Sequence, residues 1–249
     1  MMNYENGELI KKYDIEVYES NEKTSQYLVV CHGFGDTKIR YEEYKPLFDD
    51  VVRTHSIVTF TFSHCEKKIF DVNSILEWRD DLTEIITWIK SFDDQAKISL
   101  FGISLGAWVA ALYCNIDDTI DKCIFIGPVF TLHMGMKANG GVALLYLQKG
   151  KKKLNDICVN KKFLESMIKN QPINLFIKGL YRTETFIFVG ELDNIYRKAD
   201  AAMAEAILRG KGVVCESFVV PGGRHFNNND DAIVFLTLEM KRIFSHRDC

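Results

Sequence analysis

No stretch of this 249-residue sequence is apolar for long enough to cross a membrane as a helix, which takes about 20 residues. The N-terminal segment from Met1 to Tyr13 is polar and charged, and it lacks the apolar centre of a secretory signal. Neither sign of charge dominates: 31 Lys and Arg face 34 Asp and Glu, for a net of -3. That balance leaves no basic footprint, so a nucleic acid is not an expected partner. The seven cysteines are odd in number and irregular in spacing, and they compose neither a disulfide framework nor a zinc-ligand pattern. They read as reduced thiols, and the expected location is the cytoplasm.

What the sequence does contain is core. With 47% apolar and 12% aromatic residues it can fill a single α/β fold of this length. Nearly continuous β-branched and aromatic runs predict strands at Gln26–His32, His55–Phe62, Lys97–Phe101, Lys122–Ile126, Thr185–Val189 and Glu216–Val220. Runs of that kind suit parallel strands covered on both faces. Amphipathic stretches at Tyr41–Val52, Ile75–Lys90, Leu105–Cys114, Ala199–Arg209 and Asp231–Phe244 predict the intervening helices. The alternation implies a mainly parallel central sheet with helices on both faces. Within the first twenty residues, GELIKKYDIEVYES predicts an antiparallel hairpin at one edge.

One segment breaks the rhythm. Between Phe130 and Tyr181 no strand is evident, and Val142–Gln148 and Lys162–Asn170 look helical. From Phe130 to Arg182 nine Lys and one Arg face only Asp156 and Glu165, a net of +8, which leaves -11 on the rest of the chain. An insertion of this length in an α/β sheet is usually functional. The reading is therefore a core of residues 1–129 and 182–249 with a cap at 130–181. The Lys149–Lys153 run reads first as a solvated tip, with contact to anionic lipid or attraction of an anionic substrate as the functional alternatives. The apolar stretch Gly141–Leu147 beside it suits either a lid or ordinary packing.

A candidate site begins at Gly102-Ile103-Ser104-Leu105-Gly106, where a buried strand must turn into a helix. Small flanking residues let neighbouring segments pass, and Ser104 is pushed clear of the carboxyl edge of the sheet. The Leu105 N–H stands at the start of the next helix, placed to receive a negative oxygen. A serine needs a base, and the base needs an orienting acid. His225 lies in the glycine-rich PGGRHF loop after the last strand, at the same edge. Asp193, in GELD after TFIFV, is the better acid, with Glu191 as the alternative. In His32-Gly33-Phe34-Gly35 the Phe34 N–H is placed to converge with that of Leu105, and His32 reads as a support for the loop through its ring nitrogens. His55, His64, His133 and His246 read as unspecialised, Cys31 and Cys123 as small core residues, and Cys65 as a loop thiol. Asp80 and Asp81 read as facing solvent.

Taken together, HGFGD (32–36), GISLG (102–106), GELD (190–193) and GGRHF (222–226) resemble the α/β-hydrolase superfamily. The likeness is to its capped serine esterases, monoacylglycerol lipases and serine aminopeptidase-like hydrolases. It runs from about Tyr27 to Phe244 and implies Ser104 as nucleophile, Asp193 as acid and His225 as base. The sequence departs from the pattern at Phe62-Ser63-His64-Cys65-Glu66, where many relatives carry Gly-His-Gly-x-Ser. The expected activity is hydrolysis of a small-molecule carboxylic ester, with no metal and no organic cofactor. A thioesterase or acyltransferase would suit the basic cap, whereas an aminopeptidase-like enzyme would need an acidic pair there, for which only Asp156 and Glu165 exist. A binding protein on the same fold would usually lack one of the three residues.

Overall fold

Alternate residues of each central strand face opposite sides of the sheet, and here both sides are apolar. Tyr27, Val29 and Cys31 point into one core with Leu100, Phe125, Ile187 and Val189. Leu28 and Val30 point into the other with Phe101, Ile103, Ile124, Phe186 and Phe188. That double burial is why these strands read as unbroken apolar runs. The computed structural model describes residues 7–65, 69–70, 72–131, 153–154, 157–159, 161–193, 196, 198–225 and 230–245, with side chains for all but 69–70, 153–154 and 157–159.

Seven strands form the main sheet: β1 Glu16–Tyr18, β2 Gln26–Cys31, β3 Ser56–Thr59, β5 Lys97–Ile103, β6 Lys122–Ile126, β9 Glu184–Gly190 and β10 Cys215–Val220. Their order is β1-β3-β2-β5-β6-β9-β10. Every neighbouring pair is parallel except β1 with β3, where Glu16 lies opposite Thr59. The first core is covered by α3 Ile75–Phe92, α4 Leu105–Tyr113 and α7 Lys198–Gly210, and the second by α2 Lys45–Val51 and α8 Asp230–Ser245. On α3 the buried stripe Ile75, Trp78, Leu82, Ile85, Ile89 has helical spacing. The Ser74 hydroxyl starts that helix by accepting from the Leu76 N–H at 3.1 Å.

The N-terminal hairpin is corrected. Residues Gly7–Tyr13 form helix α1, and β1 pairs with β3 rather than with its own predecessor. Leu9 and Ile10 pack against the first core, and Tyr13 is fully buried in it, which outweighs the weak local strand pattern. The solvent-facing reading of Asp81 is also corrected. Asp80 is at the surface beside Arg79, but Asp81 lies in the buried stripe of α3 and is itself buried.

Between β6 and β9 the described residues include β7 Lys153–Leu154 and β8 Ile157–Val159, so this stretch is not free of strands. With β4 Ile69–Phe70 they form a second sheet in the order β4-β8-β7. Helices α5 Lys161–Lys169 and α6 Pro172–Lys178 follow. The Ser166 hydroxyl lies 2.7 Å from that of Ser74, and the Trp108 indole N–H donates to the Asn170 carbonyl at 3.0 Å. These bonds tie the segment to the starts of α3 and α4. His133, His246, Val142–Gln148, Gly141–Leu147 and Lys149–Lys152 lie outside the described residues. Among the described residues no helix is long and apolar enough to cross a membrane.

Candidate active site

β5 ends at Ile103, α4 starts at Leu105, and Ser104 alone makes the turn with φ 51° and ψ -110°. For a residue with a Cβ that is a costly conformation, held only because its surroundings fix it. The Ser104 N–H donates to the Ile126 carbonyl at 3.0 Å, which pins the turn to β6. A Cβ on Gly106 would stand 2.2 Å from the Cys31 carbonyl oxygen, so only glycine lets α4 start against the end of β2. That close approach brings Leu105 and the loop after β2 to the same place.

The structure brings three of the predicted side chains into one line. His225 Nε2 lies 3.1 Å from the Ser104 Oγ, and His225 Nδ1 lies 2.8 Å from the Asp193 Oδ2. A carboxylate can only accept, so Nδ1 carries the ring proton and Nε2 is left to accept from the serine hydroxyl. The other carboxylate oxygen of Asp193 accepts the Tyr196 N–H at 2.9 Å. Ser104, His225 and Asp193 are all sheltered, with the Asp193 side chain fully out of solvent. Gly127, at φ 51° after β6, passes under the imidazole, where a Cβ would sit 3.1 Å from Nδ1. Glu191, the alternative acid, points elsewhere: it accepts the Gly222 N–H at 3.1 Å and stands 3.8 Å from Lys198.

His32 holds the loop after β2. Its Nδ1–H donates to the Gly33 carbonyl at 2.8 Å, and its Nε2 accepts the Phe62 N–H at 3.0 Å. Burial pushes its pKa down to about 4, so the ring stays neutral. His55, buried at the other end of the chain's third sheet strand, is also lowered to about 4, first by burial, with Asp121 opposing. The unfolded chain takes up these protons near pH 6.5 and the folded one only near 4. Their contribution is therefore complete above about pH 7 and is lost as pH falls between those values, by about 2 kcal/mol per histidine at pH 5. Urea unfolding at pH 7.5 and 5.0 should show this, with His55→Gln reducing the pH-dependent loss by about 2 kcal/mol; an unchanged loss in that variant would contradict it.

Phe34 sits half-buried in a turn closed by the Asp36 N–H to the Gly33 carbonyl at 3.4 Å, and Leu105 opens α4. Beside them runs a cleft of about 560 Å³ lined by Gly33, Phe34, Ile39, Tyr44 and Ile103, with Arg40 among its charged residues. Cys31 and Cys123 are buried in the core, and Cys65 is half-buried with its thiol pKa raised by burial. Among the described residues no cluster of His, Cys, Asp and Glu could hold a metal ion. Sequence reasoning missed Asp81, which binds both Tyr13 and Ser63. The signal was present, because position 81 falls three after Trp78 and four before Ile85 on the buried stripe.

Residues 22–175 match the family model described as serine aminopeptidase, S33, a span that includes Ser104 and stops before Asp193 and His225. No curated protein matches the chain in sequence. Among solved structures the chain is similar to Est1E from Butyrivibrio proteoclasticus, at 13% identity and TM-score 0.73 over 93% of this chain and 92% of that one. It is also similar to a highly thermostable carboxyl esterase from Bacillus coagulans, at 14% identity and TM-score 0.70 over 93% of each chain. A third is a hydrolase from Oleispira antarctica, at 13% identity and TM-score 0.64 over 96% of this chain and 97% of that one.

Proposed function

This chain belongs to the serine aminopeptidase S33 family of α/β hydrolases, and from that membership we propose that it is a serine hydrolase that cleaves carboxylic esters through an acyl-enzyme. The observation that carries the proposal is the buried line Ser104–His225–Asp193. In it His225 Nε2 takes the proton of the Ser104 hydroxyl as Oγ attacks the ester carbonyl. Asp193 keeps the ring in the right tautomer and stabilises the imidazolium. The Phe34 and Leu105 N–H groups receive the negative oxygen of the tetrahedral intermediate. His225 then returns the proton to the leaving alcohol, and a water activated by the same ring releases the acid. The scheme calls on no metal or organic cofactor.

The ester reading is supported by the carboxyl esterase among the structural relatives. A peptidase holding a free amine by an acidic pair between β6 and β9 fits less well. Of the two acids available, Glu165 is half-exposed beside Lys161, at 3.5 Å. A thioesterase or acyltransferase draws support from the +8 charge of residues 130–182, which suits a phosphate-bearing acyl donor. Residues 130–181 are proposed as a cap over the site.

A fluorophosphonate reacts only with an activated serine, so the expected result is a single adduct mapped to Ser104. A chain-length series of p-nitrophenyl esters, run beside a monoacylglycerol, a coenzyme A thioester and an aminoacyl amide, should then show turnover of esters above the rest. No adduct at Ser104 would end the serine-hydrolase reading; preference for thioester or amide would end the ester one.

A further inference from the structure

Outside the line of three, a polar cluster at this edge of the sheet centres on the buried Asp81. Its Oδ2 accepts the Ser63 N–H at 2.9 Å, and its Oδ1 accepts the hydroxyls of Ser63 and Tyr13, each at 2.9 Å. The Trp78 indole N–H donates to the Ser63 carbonyl at 3.2 Å. Helix α3 thus grips Ser63 by its N–H, its hydroxyl and its carbonyl.

The grip leads to the proposed oxyanion site by a short route. Phe62, next to Ser63, donates its N–H to His32 Nε2, and His32 Nδ1–H donates to the Gly33 carbonyl. The Gly33 carbonyl and the Phe34 N–H belong to one planar trans peptide, so fixing the oxygen fixes the direction of the N–H. The imidazole cannot swing to relax the chain. Phe62 packs on it at 4.9 Å and Trp78 at 5.8 Å, and those two rings stack on each other at 4.6 Å.

We propose that Asp81 is a positioning residue for catalysis: through Ser63, Phe62 and His32 it aims the Phe34 N–H at the oxygen that becomes negative. The inference rests on the reading of Phe34 as an oxyanion donor. A buried carboxylate surrounded by three donors is costly to unpair, which suits a rigid anchor. Tyr13, from α1, completes the set and gives that helix a purpose beyond packing.

The test compares wild type, Asp81→Ala and Asp81→Asn in kcat, KM and affinity for a trifluoromethyl ketone, whose serine adduct carries the same oxyanion. Loss of one oxyanion donor elsewhere costs about 10²–10³ in kcat, and a misaimed donor should cost part of that, about 10- to 100-fold. Asp81→Ala should therefore lower kcat by that factor with KM nearly unchanged, and weaken ketone binding in parallel. Asp81→Asn retains an oxygen for the Ser63 N–H and an amide that can donate to the hydroxyls, so it should recover most of the loss. A folded Asp81→Ala enzyme with wild-type kcat overturns the inference, as does a fall in kcat with ketone affinity intact, or an Asn variant as poor as the Ala one. If Asp81→Ala does not fold, Ser63→Ala takes its place; loss of its one hydroxyl bond, worth about 1 kcal/mol, predicts about a fivefold fall in kcat, and wild-type kcat there is equally fatal. Failure of the serine-hydrolase reading, on which the role of Phe34 itself depends, looks different: wild type itself then gives no fluorophosphonate adduct at Ser104.

Discussion

Ser104→Ala is expected to lower ester hydrolysis by about 10⁵–10⁶-fold while leaving the protein folded. The loss is this large because the hydroxyl oxygen is the only atom of the protein that bonds to the acyl group in the proposed scheme. The fold should survive for three reasons. The backbone N–H that pins the turn to Ile126 is untouched by the change. The Ser104 side chain makes no capping bond to α4, so alanine does not uncap the helix. Alanine also carries the same Cβ into the same strained φ, so the strain is already present in the native turn. The one bond removed is that to His225, worth about 1 kcal/mol. Hydrolysis of p-nitrophenyl acetate and a thermal melt on the same preparation check both halves. Turnover near wild type in the folded variant would place the nucleophile elsewhere.

The parts of this molecule that were legible in the sequence share a property: their signal is local. β6 was legible to both ends because Lys122–Ile126 is an apolar run between a polar turn and the Gly127-Pro128 pair. Ser104, Asp193 and His225 were each legible because each stands in a glycine-bearing loop directly after a strand, and the parallel sheet carries all those ends to one edge. Their junction at 3.1 and 2.8 Å is a consequence of that topology. What was not legible depends on distant partners. β4 and β8 are two and three residues long and pair Ile69 with Cys158, so neither has a period to detect. Helix α1 forms because Tyr13 finds the core and a carboxylate 68 positions away. Asp81 was misread because an acid on a helix is usually solvated; its buried stripe was visible, but its three donors come from two other segments.

Asp193→Asn separates the acid from its neighbour and should lower kcat by about 10⁴-fold with little change in fold. The reason lies in the second bond of the carboxylate. One oxygen of Asp193 faces the Tyr196 N–H at 2.9 Å, a fixed donor, and the other faces His225 Nδ1 at 2.8 Å. An asparagine has one oxygen and one amide nitrogen for the two places. If the oxygen stays at Tyr196, the NH₂ faces Nδ1, which must then accept. The ring proton moves to Nε2, where it points at Ser104 and blocks transfer of the serine proton. The opposite orientation sets the NH₂ against the Tyr196 N–H, donor against donor, in a site sealed from water. The backbone of Tyr196 therefore selects the inactive tautomer. Glu191→Gln is the control: its glutamine can still accept the Gly222 N–H, and the pair with Lys198 at 3.8 Å is exposed, so kcat should stay within about threefold. Steady-state kinetics on the two variants with one p-nitrophenyl ester decide the matter, since a larger loss for Glu191→Gln than for Asp193→Asn would transfer the role of acid to Glu191.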